Sequence, residues 1–269
     1  MIFDFHVHCF PDALAPRAVA ALTENAGIIG LKPLTDGTAA GTEKRLRAAG
    51  ITGAHALNIA TNARQTENVN KFAASLPKVS NGFFTSAGSV HPDCEDKERI
   101  ITALYDAGIR GIKVHPDYVR VNIDDPRYDE IFSICEEAGM YVVTHAGFDP
   151  VSPDYFHATP EGMLKVIRAH PRLTFIAAHM GGPSQLNEVL ELLAGTNIYF
   201  DTSLVSIRED ERDKLIKLFH SHDPARIFFG TDTPWSDPKA EIAFIESAGL
   251  SDGAKEKIFF KNAAWLLNL

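Results

Sequence analysis

Short apolar, β-rich runs alternate with helical runs along the whole chain, and this alternation limits its fold more than any other feature. The β-rich runs are Met1–His8, Ala54–Ala60, Gly82–Val90, Gly111–Pro116, Met140–His145, Leu173–His179, Ile198–Thr202 and Arg226–Asp232. Helical segments follow at Asp12–Ala26, Thr42–Gly50, Arg64–Leu76 (ending before Pro77), Glu95–Gly108, Pro126–Gly139, Pro160–His170, Pro183–Gly195, Glu209–His222, Lys239–Gly249 and Ser251–Leu267. Near-continuous apolar strands suit a parallel sheet buried on both faces. Strict alternation implies βαβ units, and eight of them in a chain of 269 residues match a (β/α)8 barrel. The predicted fold is α/β, a (β/α)8 TIM barrel, as a single domain over residues 1–269. A doubly wound open sheet is disfavoured because no G-x-G-x-x-G turn follows a strand. One internal echo, Val90-His91-Pro92-Asp93 against Val114-His115-Pro116-Asp117, fits repeated units.

Composition narrows the setting. The net charge is −9 and no Lys/Arg-rich run stands out, which disfavours nucleic acid or an anionic membrane as a partner. Three cysteines, Cys9, Cys94 and Cys135, have no C-x-x-C spacing, so a reducing compartment without a disulfide framework is expected. The chain opens directly on a core strand, with no secretory pattern and no apolar run long enough to span a bilayer. A cytoplasmic protein with a small-molecule substrate is expected, and a homodimer is admitted.

The polar residues concentrate at strand exits. Of eleven histidines, six (His6, His8, His91, His115, His145, His179) lie there, together with Lys113 and Asp232. In a barrel these exits meet at one face, which holds the site. His6 and His8 are two apart on a strand and so project to the same side, a chelating pair for a borderline metal such as zinc. Each residue alone has an ordinary structural reading: a histidine closing a strand, Asp232 capping a turn, Lys113 reaching outward along its stem. Four imidazoles and a carboxylate converging on one face favour a divalent metal, zinc first, with manganese, iron or cobalt admitted. A catalytic metal keeps a position open for water and lowers its pKa. Asp232 beside that water could accept its proton, and His179 could polarise the bond attacked. His91 is as readily structural as pocket-lining, and His55, His157, His170, His220 and His222 read as structural or solvated.

The ordered set of His-x-His on strand 1, His on strands 5 and 6 and Asp on strand 8 resembles the amidohydrolase superfamily over the whole chain. Thr231-Asp232-Thr233-Pro234-Trp235 and Asn262-Ala263-Ala264-Trp265-Leu266-Leu267 more narrowly resemble its amidohydrolase-2 branch. That branch holds aminocarboxymuconate-semialdehyde decarboxylase and related aromatic-acid decarboxylases beside many hydrolases. The resemblance implies His6, His8, His145 and Asp232 as metal ligands and His179 as a catalytic or substrate-polarising residue. Some relatives carry a carboxylated lysine on strand 4 bridging two metals. Here one metal per chain is favoured over two, with Lys113 and His115 as pocket residues that could meet a substrate carboxylate.

Two activities follow. The first is metal-dependent hydrolysis of a small amide, lactone or ester by activated water, with Asp232 as proton acceptor. The alternative is non-oxidative decarboxylation of a small aromatic or unsaturated acid at the same site. The acidic balance argues against a nuclease, and Asp232 and His179 argue against a metal-binding barrel without turnover. Specificity belongs to the long loops 27–41, 116–125 and 147–159. Phe10, Tyr118, Phe148, Tyr155 and Trp235 on or near them either wall an aromatic or apolar pocket or pack the loops.

Overall fold

A computed structural model describes residues 1–269. The eight strands are β1 (Phe3–Val7), β2 (Gly53–Leu57), β3 (Phe84–Ala87), β4 (Gly111–Val114), β5 (Tyr141–Thr144), β6 (Phe175–Ala177), β7 (Tyr199–Asp201) and β8 (Ile227–Phe228). Each lies within a β-rich run of the sequence except β2, which starts one residue before its run, and helices separate them. The chain forms two compact units: Met1–Ala56 with Leu76–Thr85 and Asp201–Leu269, and Leu57–Ser75 with Ser86–Phe200.

The first unit is organised around β1, whose five residues are all buried. β1 pairs in parallel with β2, Phe3 opposite Gly53 and Asp4 opposite Ala54, and the register slips before Val7 meets Ala56. Its other edge takes the last strand and its exit. Phe5 N–H donates to the Phe229 carbonyl (2.7 Å), Asp232 N–H to His6 (2.8 Å) and His8 N–H to Thr233 (2.7 Å). Phe5 stacks on Phe228 with centroids 4.3 Å apart, and on His55 at 5.1 Å. Burial pushes the His55 pKa down to about 3, so this imidazole is a neutral core residue. The Asp4 carboxyl accepts from Thr231 Oγ1 (2.6 Å), Thr231 N–H (3.0 Å) and His6 N–H (3.1 Å). It stitches β1 to the β8 exit, and its burial raises its pKa to about 8.

In the second unit, Gly88 bridges Ile112, and β4, β5, β6 and β7 pair in parallel in chain order. Val142, Val143, Phe175, Ile176 and Phe200 are fully buried, as expected of strands covered on both faces. The helix Pro126–Ala138 is capped by Asp125 and stopped by Gly139 at φ 65°. It brings Phe132 against Phe175 at 5.5 Å.

Helix ends depart from the sequence expectations where the backbone finds other partners. The helix expected to end before Pro77 runs Thr66–Val79 with the proline in its last turn. There the carbonyls of Leu76 and Pro77 receive Ser80 and Gly82 N–H groups at 3.1 and 2.8 Å. Part of the expected loop 27–41 is helix, because Thr38 caps Ala39–Ala48 by accepting from Gly41 N–H. The segment Pro183–Gly195 is helical only over Leu186–Leu192. The last expected helix runs unbroken over Asp252–Glu256, a π-helical stretch Lys257–Lys261 and Asn262–Leu267. In the π stretch the Ile258 carbonyl accepts Phe229 N–H at 2.9 Å.

Candidate functional site

In the first unit three donor atoms converge. His6 Nε2 and His8 Nε2 are 3.2 Å apart, and Asp232 Oδ1 lies 3.2 Å from the first and 3.0 Å from the second. The backbone arranges this directly. His6 belongs to β1, His8 is held just past its end by Thr233, and Asp232 donates its own N–H to the His6 carbonyl. Asp232 sits at φ 61°, a left-handed conformation that costs a non-glycine residue free energy. Trp235 N–H, donating to the Asp232 carbonyl at 2.8 Å, helps hold it. Gly230 is required because a Cβ there would lie 2.8 Å from the His6 Cβ.

The far side of the His6 ring is also occupied. Nδ1 lies 2.8 Å from Asp201 Oδ2 and 3.1 Å from Ser203 Oγ, and Ser203 Oγ donates to the other Asp201 oxygen. Both Asp201 and Ser203 are fully buried. A buried carboxylate on Nδ1 favours the tautomer with its proton there and with Nε2 presenting its lone pair, as in metal-ligating histidines. With Nε2 unprotonated, it and the Asp232 carboxylate oxygen are two acceptors facing each other at 3.2 Å. Such an arrangement is stabilised by a cation. Donors about 2.0–2.2 Å from a common ion lie about 3.0–3.5 Å from one another, so the observed spacing and the N, N, O donor set fit a divalent metal.

In the second unit the exits of β4, β5 and β6 bring His115, His145 and His179 together. The His115 and His145 rings stack at 4.2 Å with planes 10° apart, and His179 Nε2 approaches His145 Nδ1 at 3.2 Å. The Tyr118 ring meets His115 edge-on at 4.2 Å. Asp149 Oδ2 lies 3.5 Å from His115 Nε2 and 3.8 Å from His145 Nε2. Its Oδ1 is engaged in its own turn, accepting from Val151 N–H at 2.7 Å. Lys113, on β4, is buried. His179 and Met180 take left-handed φ values of 57° and 56°. The glycines noted after His145 and His179 serve a close approach: a Cβ on Gly147 would lie 2.4 Å from the Gly182 Cα.

The loop that carries Asp149 is tied down from within the unit. His157 Nδ1 pairs with Asp117 Oδ1 at 2.9 Å, and the His157 carbonyl accepts Ile123 N–H at 2.8 Å. Asn122 donates to the Tyr155 hydroxyl at 3.1 Å. His157 is thus an anchor, and Asp117, buried beneath it, is held above the usual carboxylate range by desolvation.

Of the residues singled out in the sequence, His6, His8 and Asp232 form one cluster and His115, His145 and His179 another. Trp235 is half-buried, three residues past Asp232. Sequence reading missed Asp201, Ser203 and Asp149. Asp201 did leave a signal, as the one acidic residue inside the seventh apolar run. Asp149 left none, since its role depends on how its loop turns back.

Comparisons with known proteins agree on family and fold. The sequence profile of the amidohydrolase family matches residues 3–269. Among solved structures, a TIM-barrel protein of uncharacterised function from Bordetella bronchiseptica superposes with a TM-score of 0.79 at 20% identity, covering 99% of this chain and 98% of that one. A 5-carboxyvanillate decarboxylase from Novosphingobium aromaticivorans, a variant with bound manganese and a nitrobenzoic acid ligand, gives 0.68 at 15% identity, covering 100% and 97%. A Pseudomonas putida protein proposed to be a 2-pyrone-4,6-dicarboxylic acid hydrolase gives 0.67 at 15% identity, covering 99% and 97%. A search of curated proteins finds no significant match. The fold is a (β/α)8 TIM barrel, as the strand count anticipated.

Proposed function

The chain belongs to the amidohydrolase family, and from that premise we propose that it is a metal-dependent hydrolase of a small amide, lactone or ester. One observation carries the proposal: His6 Nε2, His8 Nε2 and Asp232 Oδ1 converge within 3.2 Å of one another while Asp201 holds the opposite face of His6. His6, His8 and Asp232 would hold a divalent ion. Zinc suits two imidazoles and a carboxylate best, with manganese, iron or cobalt as substitutes. When bound, the ion supplies Lewis-acid polarisation and an activated water. Asp232 has a second carboxylate oxygen with which to accept a proton, and its left-handed backbone keeps it at the β8 exit. His179, next to His145, is assigned to polarising the bond attacked.

A second activity, decarboxylation of a small aromatic or unsaturated acid, is supported by the second unit's cluster. Buried Lys113 and the imidazole of His115 suit a substrate carboxylate. We place the protein in the cytoplasm on the strength of three buried free thiols. No helix is long and apolar enough to cross a membrane.

The test begins with elemental analysis of protein purified without chelator. About one divalent metal per chain is expected, lost in His6→Ala and Asp232→Asn. A panel of lactones, esters, amides and aromatic acids then separates the activities. A new carboxylate with an alcohol or amine supports hydrolysis, and CO2 release supports decarboxylation. Failure to bind any divalent metal after reconstitution would remove both.

A further inference from the structure

The helix Pro238–Ser247 in the first unit starts on its own cap: Asp237 accepts Lys239 N–H at 2.9 Å. The helix therefore does not need Glu241 as a cap. Yet Glu241, on its first turn, is fully buried. Its Oε1 accepts from Ser206 Oγ at 2.7 Å and from Ser236 Oγ, and its Oε2 accepts Ser206 N–H at 3.1 Å. The two serine hydroxyls are themselves 3.3 Å apart. Burying a carboxyl is costly unless its hydrogen bonds are met. Here they are met by residues of two different loops.

Those loops are the ones that frame His6. Ser206 lies in the turn Val205–Ile207, just past Asp201 and Ser203, which hold His6 Nδ1. Ser236 follows Trp235, whose N–H donates to the Asp232 carbonyl, and Asp232 faces His6 Nε2. One carboxyl group thus clasps the loop carrying the carboxylate on one ring nitrogen and the loop carrying the carboxylate on the other. We propose that Glu241 is a positioning residue for the His6–His8–Asp232 cluster, fixing the β7 and β8 exits against each other so that the three donors keep the spacing a divalent ion needs. This rests on the metal reading above. Burial raises the Glu241 pKa to about 8; in the protonated acid one carboxyl oxygen donates to a serine hydroxyl instead of accepting from it, a role that the amide nitrogen of glutamine can take.

The experiment measures zinc dissociation constants by competition with a chromogenic chelator. It uses the full-length protein, Glu241→Gln, Glu241→Ala and the double variant Ser206→Ala/Ser236→Ala, with circular dichroism to confirm folding. Glu241→Ala should bind zinc roughly 10-fold more weakly or worse, the range seen when a supporting group behind a metal ligand is lost. Glu241→Gln keeps an acceptor for Ser206 N–H and a donor toward the hydroxyls, and should stay within about 3-fold of wild type. A folded Glu241→Ala with wild-type affinity overturns the proposal, as does a glutamine variant as weak as the alanine one. If Glu241→Ala does not fold, the double serine variant decides: it should lose affinity similarly, and unchanged affinity overturns the proposal. Wild-type protein that binds none of zinc, manganese, iron and cobalt instead refutes the metal reading, and this inference with it.

Discussion

The two histidine clusters are built differently, and the contrast bears on which imidazoles are prepared to act as ligands. In the first unit the donors come from strand ends held by backbone hydrogen bonds, and their nitrogens and oxygen point at one another. Behind them stands a fully buried carboxylate–serine pair that holds the Nδ1 edge of His6. In the second unit His115 and His145 stack face to face, planes 10° apart. Each imidazole lone pair lies in its own ring plane, so two parallel rings cannot both aim at one ion. The His115, His145 and Asp149 donor atoms lie close together, but proximity without direction does not make a shared metal site. His115 is better suited to meeting a substrate than to holding an ion beside His145.

The largest effect expected from this contrast is on metal binding in the first unit. Asp232→Asn or His6→Ala should abolish measurable stoichiometric binding. Asp201→Asn, which touches no ion, should weaken it about 10- to 100-fold by releasing the His6 ring, as read by chelator competition. An Asp201→Asn protein with wild-type affinity would break the claim that the buried backing matters. Next in size is a pH effect on stability. The Glu241 pKa rises from 4.5 to about 8 on folding, so between those values the folded state holds a proton that the unfolded state has released. Stability therefore falls as pH rises through this window, by up to about 1.4 kcal/mol per pH unit, and levels off above it. Glu241→Gln lacks this slope, so denaturant titrations of the two proteins should diverge toward higher pH, with the glutamine variant relatively favoured. Parallel curves from pH 5 to pH 9 would show the carboxyl to be ionised throughout.

A smaller effect separates the clusters by role. His115→Ala should leave the metal content of the protein unchanged and lower kcat/KM roughly 10-fold on whichever substrate the panel reveals. Loss of metal in this variant would mean that the stacking does not bar His115 from ligation.

How much of this was legible in the sequence follows the same division. Each strand was visible because its burial leaves a continuous apolar run, and His6, His8 and Asp232 were visible because they sit at run ends. Their convergence needed only the two-residue period of a strand and the strand order. Asp201 was partly legible, an acid where the run should be apolar, but the sequence offered nothing to tie it to His6. Glu241 reads as an ordinary residue of an amphipathic helix, since nothing local marks which face meets Ser206 and Ser236. The π segment at Lys257–Lys261 coincides with a long-range hydrogen bond from Phe229 N–H to the Ile258 carbonyl, a partner that no local pattern encodes. Asp149 and its anchor His157 lie on the long loop 147–159, whose path is set by contacts rather than by periodicity.

That loop supplies the smallest expected effect and the sharpest check on the contrast. If only Asp149 owes its place in the second cluster to a tied loop, while His115, His145 and His179 stand at strand exits, cutting the tie should loosen the loop and leave the first unit's metal binding alone. His157→Ala removes the imidazole from Asp117 Oδ1 but leaves the backbone N–H of residue 157, which already reaches the same oxygen at 3.3 Å. The buried carboxyl keeps one donor, so the cost should be about 1 kcal/mol. In a chain of this length that is about a 2–4 °C fall in Tm. The loosened loop should also be cleaved faster by protease between residues 147 and 159. Zinc affinity should not change. A variant that lost affinity along with loop protection would break the distinction drawn between the two clusters.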